Sequence, residues 1–171
     1  MKYIFLFITS FVFAQQTQFV DFKSVSGQLK LNAVEKSVSG IVDYRFEVLK
    51  PIDTIKIDAK NMEFSHVQID NKDVFYINTG KELQIVNHFE KGENRLTFEY
   101  SVKPKQALYF VNIDNSETQI WTQGQGRYTS NWFPSFDDVN EKVIFSLGIT
   151  YENDYQVVSN GILKGKKSEG N

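Results

Sequence analysis

Val38–Leu49 reads VSGIVDYRFEVL. In an extended chain Val42, Tyr44, Phe46 and Val48 fall on one side, and Asp43, Arg45 and Glu47 on the other. One apolar and one charged face is the pattern of an antiparallel strand with one side on a core and the other in water. Upstream, Gln28–Val34 (QLKLNAV) alternates less cleanly, with Leu29 and Leu31 on one face, and Glu35-Lys36-Ser37 reads as the turn of a hairpin. Residues 15–27 read as a lead-in segment. Downstream, Pro51 ends the strand. Short alternating runs follow at Thr54–Ala59, Phe64–Ile69, Val74–Asn78, Lys81–Val86 and Asn94–Val102, separated by polar turns such as Asp70-Asn71-Lys72-Asp73. Pro104 stops the last of these and Ala107–Val111 resumes. No amphipathic helix of useful length interrupts the series. The expected fold is all-β: an antiparallel β-sandwich or saddle-like sheet domain with short loops and little helix.

The chain has 171 residues, enough for one domain with a sizeable core. Its formal charge of −2, with both signs interspersed, offers no electrostatic footprint for nucleic acid or an anionic membrane. Met1–Ala14 (MKYIFLFITSFVFA) has a basic start, an apolar run and small residues at the −3 and −1 positions of a cut before Gln15. That is the pattern of a secretory signal peptide, and the run is too short to span a membrane comfortably. An exported protein, periplasmic or secreted and bacterial, with no membrane attachment after cleavage, is expected. There is no cysteine, so stability must come from packing and not from disulfides.

Between the strands lies a segment of different character, Gln119–Lys142, reading QIWTQGQGRYTSNWFPSFDDVNEK. It opens as a strand through Ile120, Trp121 and Thr122 and breaks at Gly124 and Gly126, which tolerate positive φ. Disordered segments are poor in aromatics, whereas this one has Trp121, Tyr128, Trp132, Phe133 and Phe136 to bury. It is expected to be an ordered, aromatic-pinned loop. If the chain stays extended, Gln123 and Gln125 point to the same side and aim their amides at one spot, suited to the polar end of a peptide or a sugar. The plainer reading is that both are simply solvated. Asp137 and Asp138 are adjacent, so they point apart and are expected to cap a turn, not to share an acid–base site. Lys142 is expected to pair with Asp137 or to stand in solvent.

Three pieces of this segment together resemble the N-terminal domain of the aminopeptidase N family of zinc metallopeptidases. They are Thr122-Gln123-Gly124-Gln125, Trp132-Phe133-Pro134-Ser135-Phe136-Asp137 and, five residues on, Lys142. Val157-Val158-Ser159-Asn160-Gly161 and Ser39-Gly40 match weaker family patterns, so the similarity spans about residues 20 to 165. The resemblance implies that Gln123 and Gln125 bind the free N-terminus of a peptide substrate. It also implies that Trp132, Phe133, Pro134, Asp137 and Lys142 are structural around that site. Position 125 is often Glu in such enzymes, and an amide attracts an ammonium less than a carboxylate does. Ser135 stands where Cys is common, and Val139 where Pro is usual.

The catalytic part of the family pattern is absent. The zinc site of such enzymes is H-E-x-x-H plus a distant Glu. This sequence has only His66 and His88, far apart and without paired carboxylates at ligand spacing. No catalytic residue, metal ligand or cofactor is therefore expected in this chain. Zinc is expected in a missing catalytic domain of the same polypeptide, which would be the principal partner, together with the peptide's N-terminus. On this reading residues 28–163 form the N-terminal β domain, incomplete at its C-terminal end, with residues 164–171 as a flexible tail. Lys142–Tyr151 is expected as a strand. Gln156–Ser159 is expected as another, turning at Asn160-Gly161 toward a partner beyond Asn171. The competing expectation is a stand-alone secreted β-sandwich module that binds glycan or protein through the loop aromatics.

Overall fold

The computed structural model describes residues 15–113, 117–152 and 155–167. The signal-peptide reading of residues 1–14 lies outside these, as does the last part of the 164–171 tail. Among the described residues eleven strands run in chain order: β1 Val20–Asn32, β2 Ser37–Val48, β3 Ile52–Asp58, β4 Glu63–Ile69, β5 Lys72–Asp73, β6 Tyr76–Asn78, β7 Glu82–Phe89, β8 Gly92–Val102, β9 Leu108–Ile113, β10 Glu117–Thr122 and β11 Ile144–Thr150. They form a six-stranded sheet in the order β11-β1-β2-β8-β4-β5, a three-stranded sheet β3-β7-β6, and a separate β9–β10 hairpin. The described helix amounts to two short 3-10 turns, Gln16–Gln18 and Thr129–Asn131. The all-β, sandwich-like expectation holds.

The core forms where the two larger sheets face each other. Val42, Tyr44, Phe46 and Val48 of β2 are each 0–1% exposed, as their alternation predicts. Leu96, Phe98 and Tyr100 of β8 join them in register, with Val42 opposite Phe98 and Tyr44 opposite Leu96. Across the gap the smaller sheet supplies Ile55, Ile57, Leu83 and Ile85, and Phe46 meets Phe89 edge-on at 6.1 Å between centroids. Burying an aliphatic or aromatic side chain of this kind stabilises a fold by about 1.5–3 kcal/mol before entropy is counted.

Three sequence expectations need correction. The lead-in of residues 15–27 is mostly strand, because β1 begins at Val20 and runs for 13 residues. Its buried positions are Val20 and Phe22, then Val25, Gly27 and Leu29. The phase slips by one residue at a bulge between Phe22 and Ser24, where the register with β2 shifts. A bulge adds one residue to one strand, so the two-residue period is lost to inspection although both halves obey it. Second, the main sheet is not wholly antiparallel: β11 lies parallel to β1, with Ser24 opposite Ile144 and Lys30 opposite Thr150. A parallel neighbour requires a long crossover, and the chain returning through the central loop provides one. Third, residues 156–159 are not a strand, and no neighbouring strand pairs with them among the described residues.

Tyr44 contributes more than bulk. Its hydroxyl donates a buried 2.7 Å hydrogen bond to the carbonyl of Pro134, 90 residues away. Burial pushes its ionisation far above the ordinary tyrosine range, so it stays a donor at any working pH. Tyr44→Phe leaves that carbonyl buried and unpaired, and should lower stability by about 1–3 kcal/mol. The check is urea unfolding, with the midpoint falling and the slope unchanged.

Candidate functional site

The central loop runs from Gln123 to Val143 and is strapped to the sandwich at several points. Asp58 at the end of β3 exchanges backbone hydrogen bonds with Ser135, at 2.9 and 3.0 Å, as an isolated antiparallel bridge. The Asp58 carboxylate accepts the backbone N–H of Asp137 at 2.7 Å. The Lys60 backbone N–H donates to the Ser130 carbonyl at 2.8 Å. Tyr100 donates to the Trp132 carbonyl at 3.1 Å, alongside the Tyr44 bond to Pro134. Five successive loop residues from Ser130 to Pro134 thus include three whose carbonyls are held by the sandwich.

Aromatic packing does the rest. Phe136 sits 4.3 Å from the Phe22 ring and 5.5 Å from Tyr44, between centroids. Phe133 is 7% exposed and edge-on to Tyr100 at 6.3 Å. It also rests on Gly27 of β1, where an added Cβ would meet Phe133 Cε2 at 3.0 Å. Gly27 is thus a strand glycine whose missing side chain leaves room for a loop ring. Trp132 is half-buried against Phe133 at 5.7 Å, and Pro134 is buried.

Asp137 accepts from Lys60 Nζ at 2.8 Å and from Ser130 Oγ at 2.8 Å, both on Oδ2. The same ammonium donates to the Arg127 carbonyl at 3.2 Å. The ion partner of Asp137 is therefore Lys60, before β4, and not Lys142, whose side chain is exposed. The sequence could not choose between two lysines, because Lys60 lies 77 residues from Asp137 and is brought there only by the β3 bridge. Asp138 caps a turn: its Oδ1 accepts both the backbone N–H and the side-chain amide of Asn140, at 3.0 Å each. Among the described residues, Ser135 Oγ and Asp137 Oδ1 are buried without a protein partner.

Gln123 and Gln125 lie at the mouth of the loop and are exposed. They are not on one extended segment. β10 ends at Thr122, and residues 125–128 form a turn in which Gly126 has φ 83° and Arg127 φ 73°. The two-apart rule therefore does not align these amides, since it holds only for strand geometry. Gly124, expected to supply positive φ, supplies space instead: a Cβ there would lie 2.5 Å from Thr129 Oγ1. Gln123 does continue the hairpin ladder, its N–H donating to the Ala107 carbonyl at 2.8 Å. Ala107 is buried and held at φ 67°, a conformation that costs a non-glycine residue about 1 kcal/mol or more. Among the described residues neither glutamine amide is spent on an internal hydrogen bond.

Two cavities flank the loop, and neither glutamine lines them. One, of about 240 Å³, is apolar and is walled by Val25, Trp132, Phe133, Phe136, Phe145 and Leu147, among others. The other, of about 160 Å³, has Gln16, Lys56, Asp58, Asp138 and Glu141 as well as Phe136 in its lining. Glu141 touches both. Burial, then repulsion from Asp21, pushes its pKa from 4.5 up to about 7. Asp58 is raised too, first by burial, with the Asp137 N–H pulling the other way. His66 lies 3.3 Å from Glu99, and His88 lies between Asp53 and Glu90 at 2.9 and 2.8 Å. Among the described residues no group of three His, Asp or Glu is placed to hold a metal ion. The described residues do not fit a catalytic zinc.

Asp137→Ala removes a half-buried anion from Lys60 and Ser130 and should cost about 2 kcal/mol, whereas Lys142→Ala should stay within about 0.5 kcal/mol. Paired urea titrations measure both, and equal losses would return Lys142 to the ion pair. Glu141 has the opposite pH sense from a salt-bridged carboxylate. Its folded pKa is raised, so its charging penalty is absent below pH 4.5 and complete above about pH 7. Glu141→Gln should gain about 1 kcal/mol over wild type near pH 8, after allowing for solvent screening, and nothing near pH 4. Unfolding midpoints at the two pH values decide this.

Comparison with known proteins places this geometry. A family model described as the Peptidase M1 N-terminal domain matches residues 23–171. No curated protein sequence gives a significant match. Among solved structures, yeast LTA4 hydrolase in complex with bestatin superposes with a TM-score of 0.69 at 18% identity, over 82% of this chain and 25% of that one. An M1 zinc metallopeptidase mutant from Deinococcus radiodurans, bound to a Tyr-Ser-Ala substrate, gives 0.65 at 16% identity, over 77% of this chain and 32% of that one. The chain thus spans a quarter to a third of the length of these structures, and the likeness at such identities concerns the fold. The match over most of the chain, on a β-sandwich whose strapped loop carries the T-Q-x-Q and W-F-P-x-F-D pieces, shows that this chain belongs to the Peptidase M1 N-terminal domain family.

Proposed function

We propose that this chain is the substrate-facing, non-catalytic domain of an exported zinc aminopeptidase, which removes residues from the N-termini of peptides. The family match over residues 23–171 carries the reading. In it, Gln123 and Gln125 contribute to the subsite for the substrate's free amine, and zinc, base and attacking water come from a catalytic domain of the same polypeptide. Three features support the glutamine assignment. Both amides are exposed, neither is used internally among the described residues, and the loop behind them is held by one buried and one part-buried tyrosine hydrogen bond. A positioned, pre-organised polar group binds a ligand at lower entropic cost than a mobile one. Export rests on the signal-like Met1–Ala14.

Aminopeptidase activity of the full-length gene product, with and without a chelator, tests the reading. Gln123→Ala and Gln125→Ala should each lower kcat/KM by about 10-fold or more, the loss expected when a hydrogen bond to a charged group is removed. Unchanged kinetics in both variants would take these residues out of the subsite. No chelator-sensitive activity at all would favour a stand-alone binding module.

A further inference from the structure

The β9–β10 hairpin has two faces of different character. Phe110 and Ile120 sit opposite each other and pack inward against the core. On the other face Trp121 lies opposite Tyr109, and Gln119 opposite Val111. The Trp121 and Tyr109 rings are 4.6 Å apart between centroids and inclined by 31°. Trp121 is 46% exposed and Val111 40%, so this is an aromatic surface open to solvent. Gln123 stands two residues beyond Trp121, and its N–H adds one more bond to the hairpin at the Ala107 carbonyl. The positions concerned, Tyr109, Val111, Gln119, Trp121 and Gln123, include no charged residue.

We propose that Trp121 and Tyr109 form a wall that selects the first side chain of the peptide, favouring large apolar and aromatic residues over small or charged ones. This rests on the reading of Gln123 as part of the amine subsite. An N-terminal residue presents an ammonium and a side chain on one carbon, so a group that binds the first fixes where the second goes. The amide at Gln123 and the rings next along the strand match that pair of features in order. A flat apolar wall without charge rewards a ring or a branched aliphatic chain by burial and offers nothing to a carboxylate or ammonium. The pairing of the two rings keeps Trp121 from rotating freely, so selecting a side chain need not also order the wall. Trp121 and Tyr109 are thus specificity-determining residues, distinct from the amine-binding glutamines.

The test uses the full-length enzyme and two substrates that differ only in the first side chain, the p-nitroanilides of phenylalanine and alanine. Trp121→Ala should lower the ratio of kcat/KM for phenylalanine over alanine by about 10-fold or more, chiefly through the phenylalanine substrate. Tyr109→Ala should lower it less, and Trp121→Phe should restore most of it. Gln123→Ala should depress both substrates together and leave the ratio intact. A ratio unmoved in Trp121→Ala and Tyr109→Ala, or both substrates falling equally, would overturn the wall. A ratio that moves with Trp121 while Gln123→Ala is silent would keep the wall and remove the amine reading. Circular dichroism and unfolding midpoints accompany each variant. Should Trp121→Ala not fold, the same ratio is read from Trp121→Leu and Tyr109→Ala.

Discussion

A hydrogen bond from the Tyr44 hydroxyl to the Pro134 carbonyl, 2.7 Å long and wholly buried, joins the centre of the core to the middle of the long loop. The loop cannot satisfy its own backbone there. Proline has no N–H, the residues around it form no regular ladder, and the carbonyls of Trp132 and Pro134 face inward. A buried carbonyl without a donor is costly. The sandwich answers with two tyrosines, Tyr44 on β2 and Tyr100 on β8, on adjacent paired strands. Their hydroxyls make an irregular segment behave as a third layer of the fold.

The remaining contacts follow from that placement. Once Pro134 is seated, Ser135 falls beside the end of β3 and bridges Asp58, and Asp137 arrives within reach of Lys60 and Ser130. Phe133 and Phe136 occupy the space over Gly27 and Phe22 on β1. The loop thus touches both sheets of the sandwich, which explains how about twenty residues without strand or long helix stay ordered. It also leads the chain across the domain, so that β11 returns beside β1 in parallel. A rigid scaffold with exposed polar groups at its edge is a common arrangement for recognition, since the binding residues gain position without giving up accessibility.

The polar network is not uniformly favourable. Glu141 and Asp58 sit where burial and neighbouring carboxylates disfavour charge. Ser135 carries a buried hydroxyl without a protein partner. Such features lie close to the loop and are rare in the core proper, where the buried residues are almost all apolar. This is the distribution expected when a local region answers to more than stability.

Much of the fold was legible because strand burial has a two-residue period. Val42, Tyr44, Phe46 and Val48 declared their face in the sequence, and the core confirms it. Of the loop aromatics expected to be buried, Trp132, Phe133 and Phe136 pack on the core, whereas Trp121 and Tyr128 are each 46% exposed; the similarity of the T-Q-x-Q and W-F-P-x-F-D pieces pointed to the family. Local pattern fails where a single residue shifts the phase or where a partner is distant in the chain. The bulge after Phe22 hid half of β1. The choice of Lys60 over Lys142 for Asp137, and the two tyrosine straps, depend on which residues folding brings together across 32 to 90 positions. The turn at residues 125–128, which separates Gln123 from Gln125, depends on Gly126 and Arg127 both taking positive φ. The sequence alone determined the buried face of regular strands such as β2 and which segment would be irregular, because hydrophobic periodicity is local. Only the tertiary structure decided how that segment is held and what it presents, because hydrogen bonds and ion pairs act at a few ångströms and so depend on where the whole chain goes.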